Sequence, residues 1–270
     1  MIDHSKLPLG KRPFSPKAKD LHLKSYIDKA AIITAAQVPA APDWQAFSCP
    51  DGNLPPPDTD ALGNDRAGCC VFAGPGHHIN MIHAQLGDPN RVSSTDVLSV
   101  YTKYTGYNPA TGANDNGYVV RDMLGNWVKD GLYGTYAIAY ALVDWTDPVE
   151  TAIATWLGCG TIGGYALPIA AQGQSDDQGR QLWDVPAGGW PQGKGPGTWG
   201  GHCMWVRGSS PKLTNANSWG QDTIWTMPWQ KACCDEMWVV LVDKWIAASG
   251  QAPNGFAYQD LLNDVKARSL

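Results

Sequence analysis

No stretch of this chain approaches the roughly 18 to 20 apolar residues that a membrane span requires, and the segment from Met1 to Pro8 lacks the apolar core of a secretory signal. Neither a membrane partner nor export by that route is expected. Charge is also scarce: charged residues make up 17% of the chain, and 20 basic against 25 acidic side chains leave a formal net charge of -5. No broad cationic surface can form, so nucleic acid is not an expected partner. The seven cysteines are odd in number, include adjacent pairs at Cys69-Cys70 and Cys233-Cys234, and contain no Cys-x-x-Cys. That pattern argues against a fully paired disulfide framework, offers no zinc-ribbon spacing and suits a reducing compartment.

What the chain holds in excess is tryptophan, glycine and proline, at 13, 30 and 20 residues, which describes loops and turns anchored by large aromatic side chains. Its 270 residues can bury a substantial core as one large domain or two lobes sharing a cleft. Residues 1–60 are rich in proline and read as an arm packed on the domain, with one short helix or strand around Ser25 to Ala36. Residues 61–250 read as the domain proper and 251–270 as a C-terminal tail or helix. Helices are expected from Cys70 to Leu86, kinked by Pro75, and over Ser94–Thr105, Tyr118–Asp130 and Asp147–Leu157. Strands are expected at Thr161–Leu167, His202–Arg207, Lys212–Ser218, Thr223–Met227 and Met237–Val242. Residues 70–157 thus form a helical half and 161–245 a β-rich half. Between the strands, Gln172–Gly201 reads as one long Gly-, Pro- and Trp-rich loop, and such a loop inside a compact domain is often functional.

A thiol, an imidazole and an amide occur in the order Cys70, His202, Asn217, and these are the parts a cysteine nucleophile needs. Cys70 opens a helix, where free backbone N–H groups and the helix's partial positive charge favour a thiolate. His202 opens a strand, where it can pair with the thiolate as imidazolium and then protonate a leaving amine. Asn217 can orient that imidazole from the next strand, and Trp219 can shield the His–Asn hydrogen bond from water. Each residue also has an ordinary structural reading: a small buried hydrophobe for the cysteine, a satisfied core group for the histidine, a turn residue for the asparagine.

Taken together, these segments resemble the papain-like cysteine peptidases. Gly68-Cys69-Cys70 resembles the Gly-Ser-Cys around the family's nucleophile, Gly201-His202-Cys203 resembles its base segment, and Asn217-Ser218-Trp219-Gly220 matches its Asn-Ser-Trp-Gly signature. Weaker matches run in order from Pro42-Asp43-Trp44 to Val242. The resemblance implies an α+β, two-lobed fold with a helical lobe, an antiparallel β-rich lobe and an active-site cleft between them. It implies Cys70 as nucleophile, His202 as base and acid, Asn217 as orienting amide, a peptide or protein substrate, and no cofactor. Gly68, Cys69, Trp199 and Gly201 are expected along the cleft. Where the family carries a glutamine that helps bind the oxyanion, this chain has Asn64, with the same NH₂ donor on a side chain one methylene shorter. Losing one such donor typically lowers the rate on the order of 10²- to 10³-fold. Val71 stands where a tryptophan usually follows the nucleophile, and no long inhibitory propeptide is expected ahead of the domain. Leu62-Gly63-Asn64-Asp65 beside Gly-x-Cys also resembles a divergent branch associated with phage and bacterial proteins, which implies a cytoplasmic or virion-associated protein and a possible assembly partner.

The leading expectation is amide-bond hydrolysis through a Cys70 acyl-thioester. One alternative is a papain-like scaffold with weak or no catalysis inside a larger assembly, and another is a cell-wall peptide amidase or acyl transferase. His77, His78 and His83 lack the i,i+4 spacing of helical metal ligands, and Asn114-Asp115-Asn116-Gly117 lacks the closing glutamate of a calcium loop, Gly125 standing there instead. No metal is assigned. Trp183, Trp190, Trp199 and Trp205 read either as core anchors or as an aromatic rim for an extended peptide.

Overall fold

A computed structural model describes residues 3–34, 38–177, 180–249 and 257–268. Its helices are α1 (Lys29–Thr34), α2 (Cys70–Gln85), α3 (Ser94–Thr105), α4 (Val120–Asp130), α5 (Pro148–Leu157), α6 (Met227–Cys233), α7 (Asp243–Ser249) and α8 (Tyr258–Arg268). Its strands are β1 (Ala137–Leu142), β2 (Thr161–Leu167), β3 (Gln181–Trp183), β4 (Gly200–Ser209), β5 (Leu213–Ser218), β6 (Gln221–Thr226) and β7 (Cys234–Val242).

Local chemistry sets the helix starts. Ser93 and Asp96 form a reciprocal capping box at the head of α3, and Asp147 accepts from the N–H groups of Val149 and Glu150 just before Pro148 opens α5. Among the described residues the strands form one seven-stranded sheet in the order β1-β7-β2-β4-β5-β6-β3, antiparallel except where β3 runs parallel to β6. Alternation along β7 feeds two cores. Trp238, Val240 and Val242 join Phe72, Ile79, Ile82, Leu124 and Trp127 on the helical side, while Met237, Val239 and Leu241 join Tyr165, Trp183, Trp225 and Trp229 on the other. Helix α2 packs on β4, α3 and α4, so it is buried nearly all round despite the internal Pro75. This α+β architecture, a helical layer against a mostly antiparallel sheet, agrees with the fold class expected from the sequence.

Three segments differ from the sequence reading. Strand β1 lies inside the stretch expected to be helical; its Ala137, Ala139 and Ala141 are poor strand formers, held there by pairing with the distant β7. Helix α6 interrupts the β-rich half, capped by Thr226, whose hydroxyl accepts from Trp229 N–H. The stretch 172–201 is not one loop, because β3 crosses it and seats the fully buried Trp183 against Trp225 and Trp229, with ring centroids 6.0 and 4.9 Å away. Of the helix or strand expected around Ser25 to Ala36, α1 covers Lys29–Thr34, and Ala35 and Ala36 lie outside the described residues. In the segment read as a C-terminal tail or helix, α8 spans Tyr258–Arg268, with 251–256 and 269–270 outside the described residues.

The aromatic seat of β3 makes this segment structural. Trp183→Ala is expected to lower the unfolding free energy by about 3 to 5 kcal/mol in urea titrations. An unchanged midpoint would show that β3 contributes nothing to the second core.

Candidate active site

The approach to α2 is fixed by hydrogen bonds from across the helical layer. Gly68 N–H donates to both carboxylate oxygens of Asp115, at 2.9 and 3.1 Å, while Tyr101 O–H donates to Asp115 Oδ1 at 2.6 Å and itself accepts from Gly117 N–H at 2.9 Å. Asp115 and Tyr101 are positioning residues that the sequence reading missed; the Asn-Asp-Asn-Gly string was the available signal, and it reads as a turn. Asn64, expected at the oxyanion, donates its Nδ2 to Ala67 O at 2.9 Å and so closes its own loop. Its short side chain reaches the nearest carbonyl of that turn. Cys69 is the N-cap residue of α2, and Cys70 is its first helical residue, both without solvent exposure.

Burial pushes the Cys70 thiol up to about 11, opposed by backbone N–H groups of Cys203, Gly10 and Val71 that face the sulfur and by the nearby charge of Lys11. The resting group is therefore a thiol, where the helix start alone suggested a thiolate. The strand that carries the imidazole packs on α2 through the next residue: a Cβ on Gly74 of α2 would stand 3.6 Å from Cys203 Sγ.

His202 is 1% exposed, and burial drives it down to about 3. It is a neutral imidazole and not the expected imidazolium. Its ring stacks on Trp219 with centroids 4.0 Å apart at 13°, and Trp219 in turn stacks on Trp199 at 5.4 Å. Nε2 shares a 2.9 Å hydrogen bond with Ser218 Oγ, and Nδ1 has no hydrogen-bond partner. Asn217 does not meet the imidazole: its Nδ2 donates to Asp58 O, and its Oδ1 accepts from Gly220 N–H at 3.0 Å. The reason is strand geometry, since successive residues face opposite sides of a strand, and β5 turns Ser218 toward the imidazole and Asn217 away from it. Trp219 thus covers a His–Ser bond. It holds this place at φ 52, a left-handed conformation that is strained for a bulky residue, beside Gly220 at φ 76, where a Cβ would come within 2.6 Å of Thr59 O.

A segment of the chain's own N-terminal arm lies between the two walls. Tyr118 N–H donates to Gly10 O at 2.7 Å and Arg12 N–H to Tyr118 O at 2.9 Å on the helical side, while Lys11 N–H donates to Gly201 O at 3.1 Å on the β side. Trp219 Nε1 donates to Pro8 O at 3.4 Å. Glycines make the slot narrow enough for this: a Cβ on Gly10 would fall 1.6 Å from Gly68 O, one on Gly117 1.9 Å from Gly10 O, and one on Gly201 2.1 Å from Lys11 O. Gly68, Cys69, Trp199 and Gly201, expected along the cleft, are placed respectively beneath Gly10, at the α2 cap, on Trp219 and against Lys11.

The remaining histidines of α2 are structural. His78 bonds Gly158 O and is held down to about 4 by burial, His83 bonds Asn90 O at 3.0 Å, and His77 Nδ1 lies 2.8 Å from Asp58 Oδ2. Among the described residues no group of His, Cys, Asp and Glu is arranged to hold a metal ion, and no helix is long and apolar enough to cross a membrane.

No protein-family profile matches the chain, and no curated protein sequence matches it. Solved structures do. The chain is similar to xylellain, a cysteine protease from Xylella fastidiosa, with a TM-score of 0.60 at 15% identity over 87% of this chain and 96% of that one. It is also similar to recombinant stem bromelain precursor, with a TM-score of 0.52 at 12% identity over 87% of this chain and 78% of that one. The likeness is one of fold, and the fold is papain-like.

Two outcomes follow from this geometry. Gly10→Ala forces the arm off Gly68, and a thiol returning from about 11 towards the ordinary cysteine value gains roughly 100-fold or more thiolate at pH 7.5. Alkylation of Cys70 by iodoacetamide, read by peptide mapping, should accelerate accordingly; an unchanged rate would show that the arm does not shield the sulfur. The second outcome concerns acid. With His202 and His78 held at about 3 and about 4, the unfolded chain binds protons that the folded one refuses. Stability is therefore full above the unfolded value near 6.5 and is lost as pH falls towards 4 and 3, by on the order of 2 kcal/mol for each imidazole at pH 5. Urea midpoints at pH 7.5 and 5 measure this, and a flat profile would contradict it.

Proposed function

We propose that this papain-like chain is a cysteine peptidase held in a self-blocked state, which hydrolyses peptide bonds through a Cys70 acyl-thioester once residues 8–12 leave the cleft. The observation that carries the reading is the arm itself: an extended peptide backbone, bonded to both walls, lies against Gly68, two residues before Cys70. A groove that holds one extended segment by main-chain hydrogen bonds is suited to another.

The residues supply each step. Departure of the arm admits water, and because burial is the first cause of both shifts, the thiol moves down and the imidazole up together. With Nε2–H donated to Ser218 Oγ, Nδ1 is the lone-pair nitrogen that takes the Cys70 proton while the sulfur bonds to the substrate carbonyl carbon. The oxyanion takes the Cys70 backbone N–H, and Asn64 joins only by giving up its bond to Ala67. The imidazolium protonates the departing amine, and water, deprotonated by His202, then cleaves the thioester.

A second reading has its own support. Asn64 and Asn217 spend their amides on Ala67 O and on Asp58 O with Gly220 N–H, which favours a papain-like protein that binds peptides without turnover, as a component of a larger assembly. A thiol-directed epoxide separates the two. On Gly10→Ala protein at neutral pH, the peptidase gives a fast, selective Cys70 adduct that is lost with His202→Ala, together with cleavage of a denatured protein. Labelling no faster than an ordinary thiol, with no cleavage, rejects hydrolysis.

A further inference from the structure

Among the arm residues that bond to the cleft walls, Lys11 buries its charged side chain. It is 1% exposed, with Nζ 2.9 Å from Asp235 Oδ2 and 3.3 Å from Glu236 Oε1. Both carboxylates stand at the start of β7, and Glu236, without any side-chain exposure, also accepts from Trp238 Nε1 at 2.8 Å through Oε2. Gly164 of β2 leaves the room for this: a Cβ there would sit 2.1 Å from Lys11 Cε and 2.6 Å from Glu236 Cγ. The result is a narrow site with an acidic end, filled by Lys11 where the arm is bonded to Gly201 and Tyr118.

An ion pair built only to pin the arm would leave its acceptors filled, because buried polar groups are almost always hydrogen-bonded. Here one is not. Asp235 Oδ1 is buried without a hydrogen-bond partner, Glu236 Oε1 meets the ammonium only across the 3.3 Å of the ion pair and without hydrogen-bond alignment, and the Lys11 ammonium gives one of its three donors to its own neighbour, Arg12 O, at 3.3 Å. A planar guanidinium offers five donors in a fork and can serve oxygens that an ammonium leaves unmet. A neutral side chain serves none of them and leaves buried carboxylates without a counter-charge.

We propose that this pocket selects the substrate: it takes a cationic side chain close to the bond presented to Cys70, arginine ahead of lysine, and excludes neutral and acidic ones. The proposal rests on the reading of the cleft as a peptidase cleft, and Lys11 is the built-in occupant that a substrate residue replaces. Selectivity is both attractive, through the charge-assisted bonds, and repulsive, through the buried Glu236 that a wrong side chain would leave without its counter-charge.

The test uses the full chain carrying Lys11→Ala and Cys70→Ala, which frees the pocket and prevents turnover. Fluorescein-labelled Leu-Pro-Leu-Gly-Xaa-Arg-Pro-Phe, the arm's own residues 7–14 with the Lys11 position varied, is titrated with Xaa as arginine, citrulline, lysine or norleucine. Arginine should bind about 10- to 100-fold more tightly than citrulline, and lysine more tightly than norleucine, with the preference collapsing in Glu236→Gln. Asp235→Asn, on a partly exposed residue, should narrow it by a smaller factor and serves if Glu236→Gln does not fold. Equal affinity for charged and neutral peptides, or no binding, overturns the proposal. A peptide library incubated with Lys11→Ala protein that retains Cys70 then separates the two readings. Charge-selective binding without cleavage rejects hydrolysis and keeps the pocket, whereas cleavage indifferent to charge rejects the pocket and keeps hydrolysis.

Discussion

The constraint on which this structure turns is the burial of a thiol and an imidazole at the seam where the start of α2 meets β4. Away from water neither group holds its charge easily, so each rests neutral, with Cys70 raised and His202 lowered by the same cause. Everything that makes the seam tight follows from packing. Helix α2 is buried on almost every side, β4 runs through the middle of the sheet, and Trp219 closes the imidazole's free face at an aromatic stacking distance of 4.0 Å. The arm packs against this seam at Gly68, Gly117 and Gly201, so the proposed release of residues 8–12 and the electrostatic state of the site are coupled.

The helices were readable because their signals are local. Ser93 with Asp96, Asp147 before Pro148, and the apolar spacing after Cys70 each lie within a turn or two of the backbone they organise. So was the order of Cys70, His202 and the Asn-Ser-Trp-Gly string. What the sequence could not display were facts settled by distant partners. Strand β1 exists because β7 pairs with it, and Trp183 belongs to a core because β6 and α6 bring Trp225 and Trp229 to meet it. The choice between Asn217 and Ser218 is subtler. Both belong to the same short string, and only the facing of β5 decides which one the imidazole meets.

The arm shows the same limit more sharply. Its prolines suggest an extended segment, yet nothing in their spacing says that it lies inside a cleft. Gly10 finds Gly68, Gly117 finds Gly10, and Gly201 finds Lys11, four glycines far apart in sequence whose missing side chains together make one backbone-width slot. A glycine that only turns a loop and a glycine that admits a neighbouring backbone look identical in a sequence.

Lys11 then decides how firmly the slot is filled. Main-chain bonds such as those to Tyr118 and Gly201 contribute roughly 0.5 to 1.5 kcal/mol each after exchange with water, so the few that the arm makes hold it only modestly. The ion pair differs in kind. Withdrawing Lys11 leaves Glu236 buried and uncompensated, and breaking a buried pair from one side typically costs about 3 to 5 kcal/mol. Anything that opens the cleft must therefore supply either water or another cation at Glu236. A cationic peptide can open the slot and occupy it in the same step, whereas a neutral one has to displace the arm and then leave the carboxylate bare.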